Sequence, residues 1–320
     1  MSEEIQEKKA APFVYLPVDE KLQLVDQSAF KFASPETMVI ISPPLMGKTL
    51  SAVNQEKFII VDFYRETNYF PFCRNKVSAY EPPEKETYVY LHDGTIITRK
   101  FYDIVMELKR ANQMQTYKKL REALDMNLPV EKKEKIFKAM KKLINEMPFP
   151  VGVFDTLTAI QLMNFRACLH MYNSMVEPDK RKKDIRKVDN YNGTRYTRPN
   201  FFGILDFVES NACPFVLYYA HIKDKKSVYN KDIEDLNTVD INLEGLVSSS
   251  YTNRMGAVGI FNRTDEGCFL DFVKRIESDL GGRPAHLWNK VIKIADITES
   301  PDQLPRRYWD KIYVDLNFSN

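Results

Sequence analysis

Apolar residues along the chain fall into short unbroken runs and longer stretches at helical spacing. MVIIS (38–42) and FIIVDF (58–63) are continuous apolar runs of the kind buried on both faces of a parallel sheet. With LSAVNQEK from Leu50 between them they predict strand, helix and strand, one βαβ unit. YVYLHDGTIIT (88–98) places Asp93-Gly94 between two alternating segments, a hairpin signal. Residues 101–126 and 130–147, separated by Pro129, carry Ile104, Val105, Leu108 and then Ile136, Met140, Leu143 and Ile144 at helical spacing. They predict two helices forming an insertion or lid on the core. FPVGVFDTLTAIQLM (149–163) predicts a strand ending at Asp155-Thr156 and a helix from about Leu157. A helix over 200–212, a strand over 214–225 and a hairpin of 257–263 with 268–273 around Thr264-Asp265-Glu266-Gly267 complete the pattern.

Alternating strands and helices followed by antiparallel strands predict an α/β fold: a mainly parallel central sheet flanked by helices, with an antiparallel edge hairpin. Residues 1–35, polar and interrupted by Pro12, Pro17 and Pro35, read as an N-terminal arm. Residues 36–295 form the core, with the helical insertion at about 101–147, and 296–320 a C-terminal tail.

Composition narrows the class. At 44% hydrophobic and 12% aromatic, 320 residues are ample for a packed core. Cys73, Cys168, Cys213 and Cys268 are scattered without a C-x-x-C pair, which points away from a disulfide framework or zinc ribbon and towards a reducing cytoplasm. The polar N-terminus lacks the apolar segment of a signal peptide, and no run approaches the roughly 20 apolar residues of a membrane span. Secretion and membrane insertion are not expected.

The net charge of +2 conceals segregation. DKRKKDIRKVDNYNGTRYTR (179–198) holds eight Lys or Arg against three Asp, a local charge of +5, and does not read as a helix. EKKEKIFKAMKK (131–142), with six Lys against two Glu, reads as a solvated helix face. In the first segment Lys180, Arg181, Lys182, Lys183, Arg186, Lys187, Arg195 and Arg198 would neutralise phosphates. Tyr191 and Tyr196 would stack on unpaired bases, the pairing that sequence-tolerant single-strand binding requires. A solvated surface loop is the alternative.

Three strand ends carry the candidate chemistry. SPPLMGKT leads from the first strand into the first helix, and Gly47, Lys48 and Thr49 match the second half of a phosphate-binding loop. There backbone amides wrap phosphates, the lysine reaches the terminal ones and the hydroxyl ligates Mg²⁺. The loop runs Ser42, Pro43, Pro44, Leu45, Met46, Gly47, Lys48, Thr49, Leu50. Ser42 stands where such a loop opens on glycine; the cradle is expected to survive because its amides come from Met46 to Leu50. Asp155 ends a buried strand where an Mg²⁺-holding aspartate would sit, or is a helix N-cap. His221, in YYAHIKDK, is a candidate sensor of the γ-phosphate or its attacking water, or a strand cap.

These elements, in this order, resemble the RecA-type P-loop ATPases, most closely the phage AAA-labelled group that includes single-strand annealing proteins of recombination modules. SPPLMGKT, FDTLTAI, YYAHIKDK and AVGIFNRTDEGCFLDFV followed by GGRPAHL carry the resemblance, over about residues 36–290. It implies a RecA-like fold and an ATP- and Mg²⁺-dependent ATPase that binds and anneals single-stranded DNA, alongside a single-strand-binding protein. The setting is the cytoplasm, the host's if the chain is phage-encoded. Lys48 and Thr49 would bind phosphate and Mg²⁺, Asp155 Mg²⁺, and His221 would sense the nucleotide. It also implies a homo-oligomer with nucleotide at a subunit boundary, where Lys223, Lys225 or Arg263 would complete a neighbour's site. The group usually has a catalytic glutamate shortly after its second core strand; here VDFYRETN offers Glu66 as the nearest. Two alternatives stand: a helicase or packaging motor of the same fold, and a nucleotide-binding structural or scaffold protein without turnover.

Overall fold

A computed structural model of the chain describes residues 30–44, 46–188, 193–222, 241, 243, 252–273, 281–298 and 304–319. The unbroken apolar runs become strands β1 (Thr37–Ser42), β2 (Phe58–Asp62) and β6 (Val151–Asp155), and β2 and β6 are buried along their full length. Between β2 and β6 lie β3 (Lys76–Ser78) and a separate hairpin of β4 (Tyr88–Tyr90) and β5 (Ile96–Thr98). Then come β7 (Phe215–His221), β8 (Ala257–Thr264), β9 (Gly267–Asp271), β10 (Gly281–Gly282) and β11 (Val291–Ala295).

The strands pair in the order β11-β9-β8-β1-β7-β6-β2-β3, with β10 beside β8. From β8 to β3 every pair is parallel, whereas β8 with β9 and β9 with β11 are antiparallel. This is the expected mainly parallel sheet with an antiparallel edge. β1 and β2, consecutive in the chain, are not adjacent in the sheet: β7 lies between β1 and β6, so the strand that leads into Lys48 and the Asp155 strand are separated by one.

Side chains alternate across each strand and divide the core in two. Val39, Ile41, Val61, Phe154, Val216 and Tyr218 face helices α2 (Arg99–Ala111), α5 (Leu157–Met175) and α6 (Thr194–Asn211). Met38, Ile40, Ile60, Val153, Leu217 and Tyr219 face α1 (Lys48–Ala52), α3 (Met114–Asp125) and α4 (Val130–Glu146). The region expected as two helices over 101–147 is therefore three, and it contributes to both layers. The break falls at Asn112-Gln113, with Gln113 at φ 49°. Asn112 is fully buried; its Nδ2 donates to the carbonyls of Phe149 and Ala212, and its Oδ1 accepts from the Phe149 amide. That knot lets the chain cross from one face of the sheet to the other.

The C-terminal segment is part of the core rather than peripheral to it. Trp309, Ile312, Tyr313 and Leu316 are buried among residues of the α1, α3 and α4 layer. The Trp309 ring lies 5.1 Å from that of Phe58.

Candidate functional site

Four polar residues end four neighbouring parallel strands on the same sheet edge: Ser42 on β1, His221 on β7, Asp155 on β6 and Asp62 on β2. Register aligns Ser42 with His221 and Asp62 with Asp155. Ligands of open α/β sheets bind outside the carboxyl ends of the strands, so the sheet itself assembles these residues.

The loop after β1 turns into α1 through Gly47, whose φ of 94° and ψ of 18° are left-handed values that cost glycine little and other residues more. No side chain caps this turn. The helix has five residues, shorter than the LSAVNQEK reading, because Val53 is extended and Asn54 takes φ 54°. Its dipole is correspondingly small, which leaves the loop amides and Lys48 as the main groups there that would attract an anion.

Lys48 is buried and donates to Ser42 Oγ at 2.6 Å. Thr49 donates its hydroxyl proton to Asp155 Oδ2 at 2.7 Å, and Glu66 Oε2 lies 3.4 Å from the same hydroxyl. Helix α5 is capped by Thr156, which accepts from the Ala159 amide, so Asp155 is not a cap. Asp155 Oδ1 is buried without a hydrogen-bond partner among the described residues, as is His221 Nδ1.

Glu66 reaches the site because Asp62 organises the turn before it. Asp62 Oδ1 accepts from the amides of Tyr64 and Glu66, and Oδ2 from the amide and hydroxyl of Thr67. Arg65 takes φ 63° within this turn. Asp62 went unread in the sequence as a functional position; an aspartate ending a buried strand just before a non-helical turn is the signal that would have found it.

Burial pushes the Asp155 carboxyl up to about 7, helped by the negative charge of Glu66 and opposed by the Thr49 hydrogen bond and Lys48. Burial also raises Glu66, with Asp62 adding to it and Lys48 and Thr49 opposing. Lys48 is lowered by burial against the pull of Asp155 and Glu66. His221 is lowered by burial and by Lys48, which favours a neutral imidazole. These shifts mark a site short of positive charge at Asp155.

Asp155 also makes stability depend on pH. Between its unfolded value near 4 and about 7, the folded carboxyl holds a proton that the unfolded one has lost, so stability falls as pH rises through that window. The expected loss over the whole window is on the order of 4 kcal/mol. Denaturant midpoints at pH 5 and pH 8, without divalent cation, should differ less in Asp155→Asn than in the native chain; an equal difference would refute the assignment.

The support beneath α1 comes from residues distant in the chain that no local pattern connects to it. Tyr219 and Ser51 share a hydroxyl contact of 3.2 Å, and Arg307 Nη2 and Trp309 Nε1 donate to the carbonyls of Leu50 and Ser51 at 3.2 and 2.9 Å. The C-terminal segment thus caps the carboxyl end of α1.

The described residues of the basic segment, 179–188 and 193–198, lie beyond α5 and include regular turns. Short 3-10 turns span Pro178–Lys180 and Ile185–Lys187, and Lys182 is clamped through its backbone by Asn173. Arg195, Tyr196 and Arg198 do not extend a non-helical segment as expected; they lie in the first turns of α6, entered through Gly193. Tyr196 packs edge-on against Tyr172 and accepts from Arg195, so it is not a free stacking surface. Lys180 pairs with Glu177 and Arg186 with Asp184. Arg181, Lys182, Lys183 and Lys187 are exposed. Arg263, on β8, is also exposed, whereas Leu45, Tyr191, Lys223 and Lys225 lie outside the described residues. Of the six lysines of 131–142, Lys132, Lys135, Lys138, Lys141 and Lys142 face solvent on α4 as expected, whereas Lys133 is buried.

No protein-family model matches the chain, and no curated protein matches its sequence. Among the described residues no helix is long and apolar enough to cross a membrane. What fold and site define is an α/β protein with a mainly parallel sheet flanked by helices, bearing a lysine, a threonine, two carboxylates and a histidine at the carboxyl ends of its strands.

Proposed function

We propose that this chain is a RecA-like P-loop ATPase that takes ATP with Mg²⁺ and binds and anneals single-stranded DNA, in the manner of the phage recombination proteins it resembles. The observation that carries the reading is the buried, unpartnered Asp155 Oδ1 beside the Thr49 hydroxyl and Glu66. A buried carboxylate oxygen without a partner is costly unless a cation or a proton meets it.

The donor set fits Mg²⁺. That ion prefers hard oxygen ligands and keeps several waters and substrate oxygens, so one carboxylate and one hydroxyl are a sufficient protein share. When bound, it would neutralise charge on the phosphates. Thr49 and Asp155 would hold it. Lys48 would reach the terminal phosphates, and the amides around Gly47 would wrap them. Glu66 would accept a proton from the attacking water, the role of the glutamate that this chain lacks at the usual distance. His221, neutral and adjacent to the phosphate loop through β7, would hydrogen-bond near the γ-phosphate and pass its state into the segment after β7. Arg181, Lys182, Lys183 and Lys187 would supply phosphate contacts to a single strand.

The test is ATP hydrolysis with and without single-stranded DNA. Turnover dependent on Mg²⁺, with strand binding that weakens steeply with salt, is expected. Glu66→Gln should lower turnover by about 10²-fold or more with ATP affinity kept. No ATP binding would remove the reading. Vigorous DNA-stimulated turnover without annealing would make the chain a motor of the same fold, and ATP binding without turnover or DNA affinity would make it a nucleotide-binding structural protein.

A further inference from the structure

Ser42 is wholly buried at the end of β1, and its hydroxyl donates to the Pro43 carbonyl at 2.7 Å while accepting Lys48 Nζ at 2.6 Å. Lys48 lies 3.4 Å from both the Ser42 and the Pro43 carbonyl oxygens. The Ser42 carbonyl already accepts from the Ile222 amide, and the Pro43 carbonyl from the serine hydroxyl. An ammonium has three N–H donors. All three therefore have acceptors at the start of the loop, and the one short bond goes to an oxygen that glycine in this position would lack.

We propose that Ser42 is a positioning residue that latches Lys48 at the start of the phosphate loop, so that nucleotide phosphate competes with the serine hydroxyl for the ammonium. This rests on the P-loop reading and adds a sign to it. The hydroxyl holds nucleotide affinity below the level that the same loop would reach without it. The latch is effective because it is buried: hydrogen bonds to charged donors are stronger than neutral ones, more so away from water. Its release exposes Lys48 to a ligand only when a competing anion arrives. Serine at the first loop position thus tunes affinity, where its lost backbone freedom alone would have had little effect.

The test is Mg²⁺-ATP affinity, by calorimetry, in the full chain. Alanine is the substitution of choice because glycine would also loosen the backbone. Ser42→Ala should bind about three- to tenfold more tightly, the part of one charge-assisted hydrogen bond that the two carbonyls do not recover. Ser42→Thr, which keeps the hydroxyl on a β-branched side chain suited to a strand, should bind like the native chain. Adding Ser42→Ala to Lys48→Ala should give no gain, since the cycle isolates the pair. A gain in affinity cannot come from damaged folding. Unchanged or weaker binding by Ser42→Ala, in a chain whose Lys48→Ala variant loses ATP, overturns the latch alone. ATP affinity that is absent, or equal in native and Lys48→Ala chains, overturns the P-loop reading and the latch with it.

Discussion

Lys48→Ala should weaken ATP binding by about two orders of magnitude or more, close to 3 kcal/mol. Lys48 is the buried cation at this sheet edge, and its neighbours Asp155 and Glu66 both carry carboxyls raised by burial. Without the ammonium, a polyphosphate would approach two carboxylates with only loop amides to attract it, and the five-residue α1 adds little dipole. Lys48 opposes the upward shift of both carboxyls, so its removal should raise them further and weaken Mg²⁺ as well. Titration of ATP with and without Mg²⁺, on a variant whose circular dichroism matches the native chain, measures both effects. Equal ATP affinity in the two chains would sink the nucleotide assignment.

Trp309→Ala should cost about 4 kcal/mol of stability, from the cavity left by a large buried side chain and the carbonyl it leaves unpaired. Trp309 is 1% exposed, packs at a tilt against Phe58 and Tyr313, and donates to the Ser51 carbonyl at 2.9 Å. For a chain of this size the loss corresponds to a fall of about 6 °C in Tm. Because Ser51 belongs to α1, which carries Lys48 and Thr49, the proposed ATP affinity should fall too. Trp309→Phe separates the two contributions: it keeps most of the packing, loses the N–H, and should cost about 1 kcal/mol. A change under 1 kcal/mol in Trp309→Ala, read from denaturant curves, would show that the C-terminal segment does not support the helix.

Much of the sheet was legible because its strands are buried on both faces and so read as unbroken apolar runs. FIIVD and VGVFD needed no partner to be recognised. The hairpin around Thr264-Asp265-Glu266-Gly267 was legible for a different reason: turn chemistry is local. The break at Asn112 was not, since helical periodicity continues across it and only the need to reach Phe149 and Ala212 interrupts the helix. The basic segment was legible only in part: in the sequence Arg195, Tyr196 and Arg198 fall among turn formers beside Gly193, yet they belong to α6, which carries Pro199 inside it.

Gly47, Lys48 and Thr49 match the second half of a phosphate-loop pattern by spacing alone, and Asp155 and His221 are strand ends in any reading of the pattern. The sequence by itself therefore determined the residue types of the site and the strands that bear them, because these follow from short-range periodicity and backbone preference. Only the tertiary structure decided how they meet. Placing β7 between β1 and β6 sets Thr49 against Asp155, separated by 106 positions in the chain. The four bonds accepted by Asp62 bring Glu66 to Thr49, and Arg307 and Trp309, over 250 residues away, hold α1 from below. These contacts come from strand order and packing, which depend on long-range burial that no local window of sequence contains. Ser42 shows both sides: its place in the loop was plain from the sequence, but its hold on Lys48 became visible only when burial removed water as the competing partner.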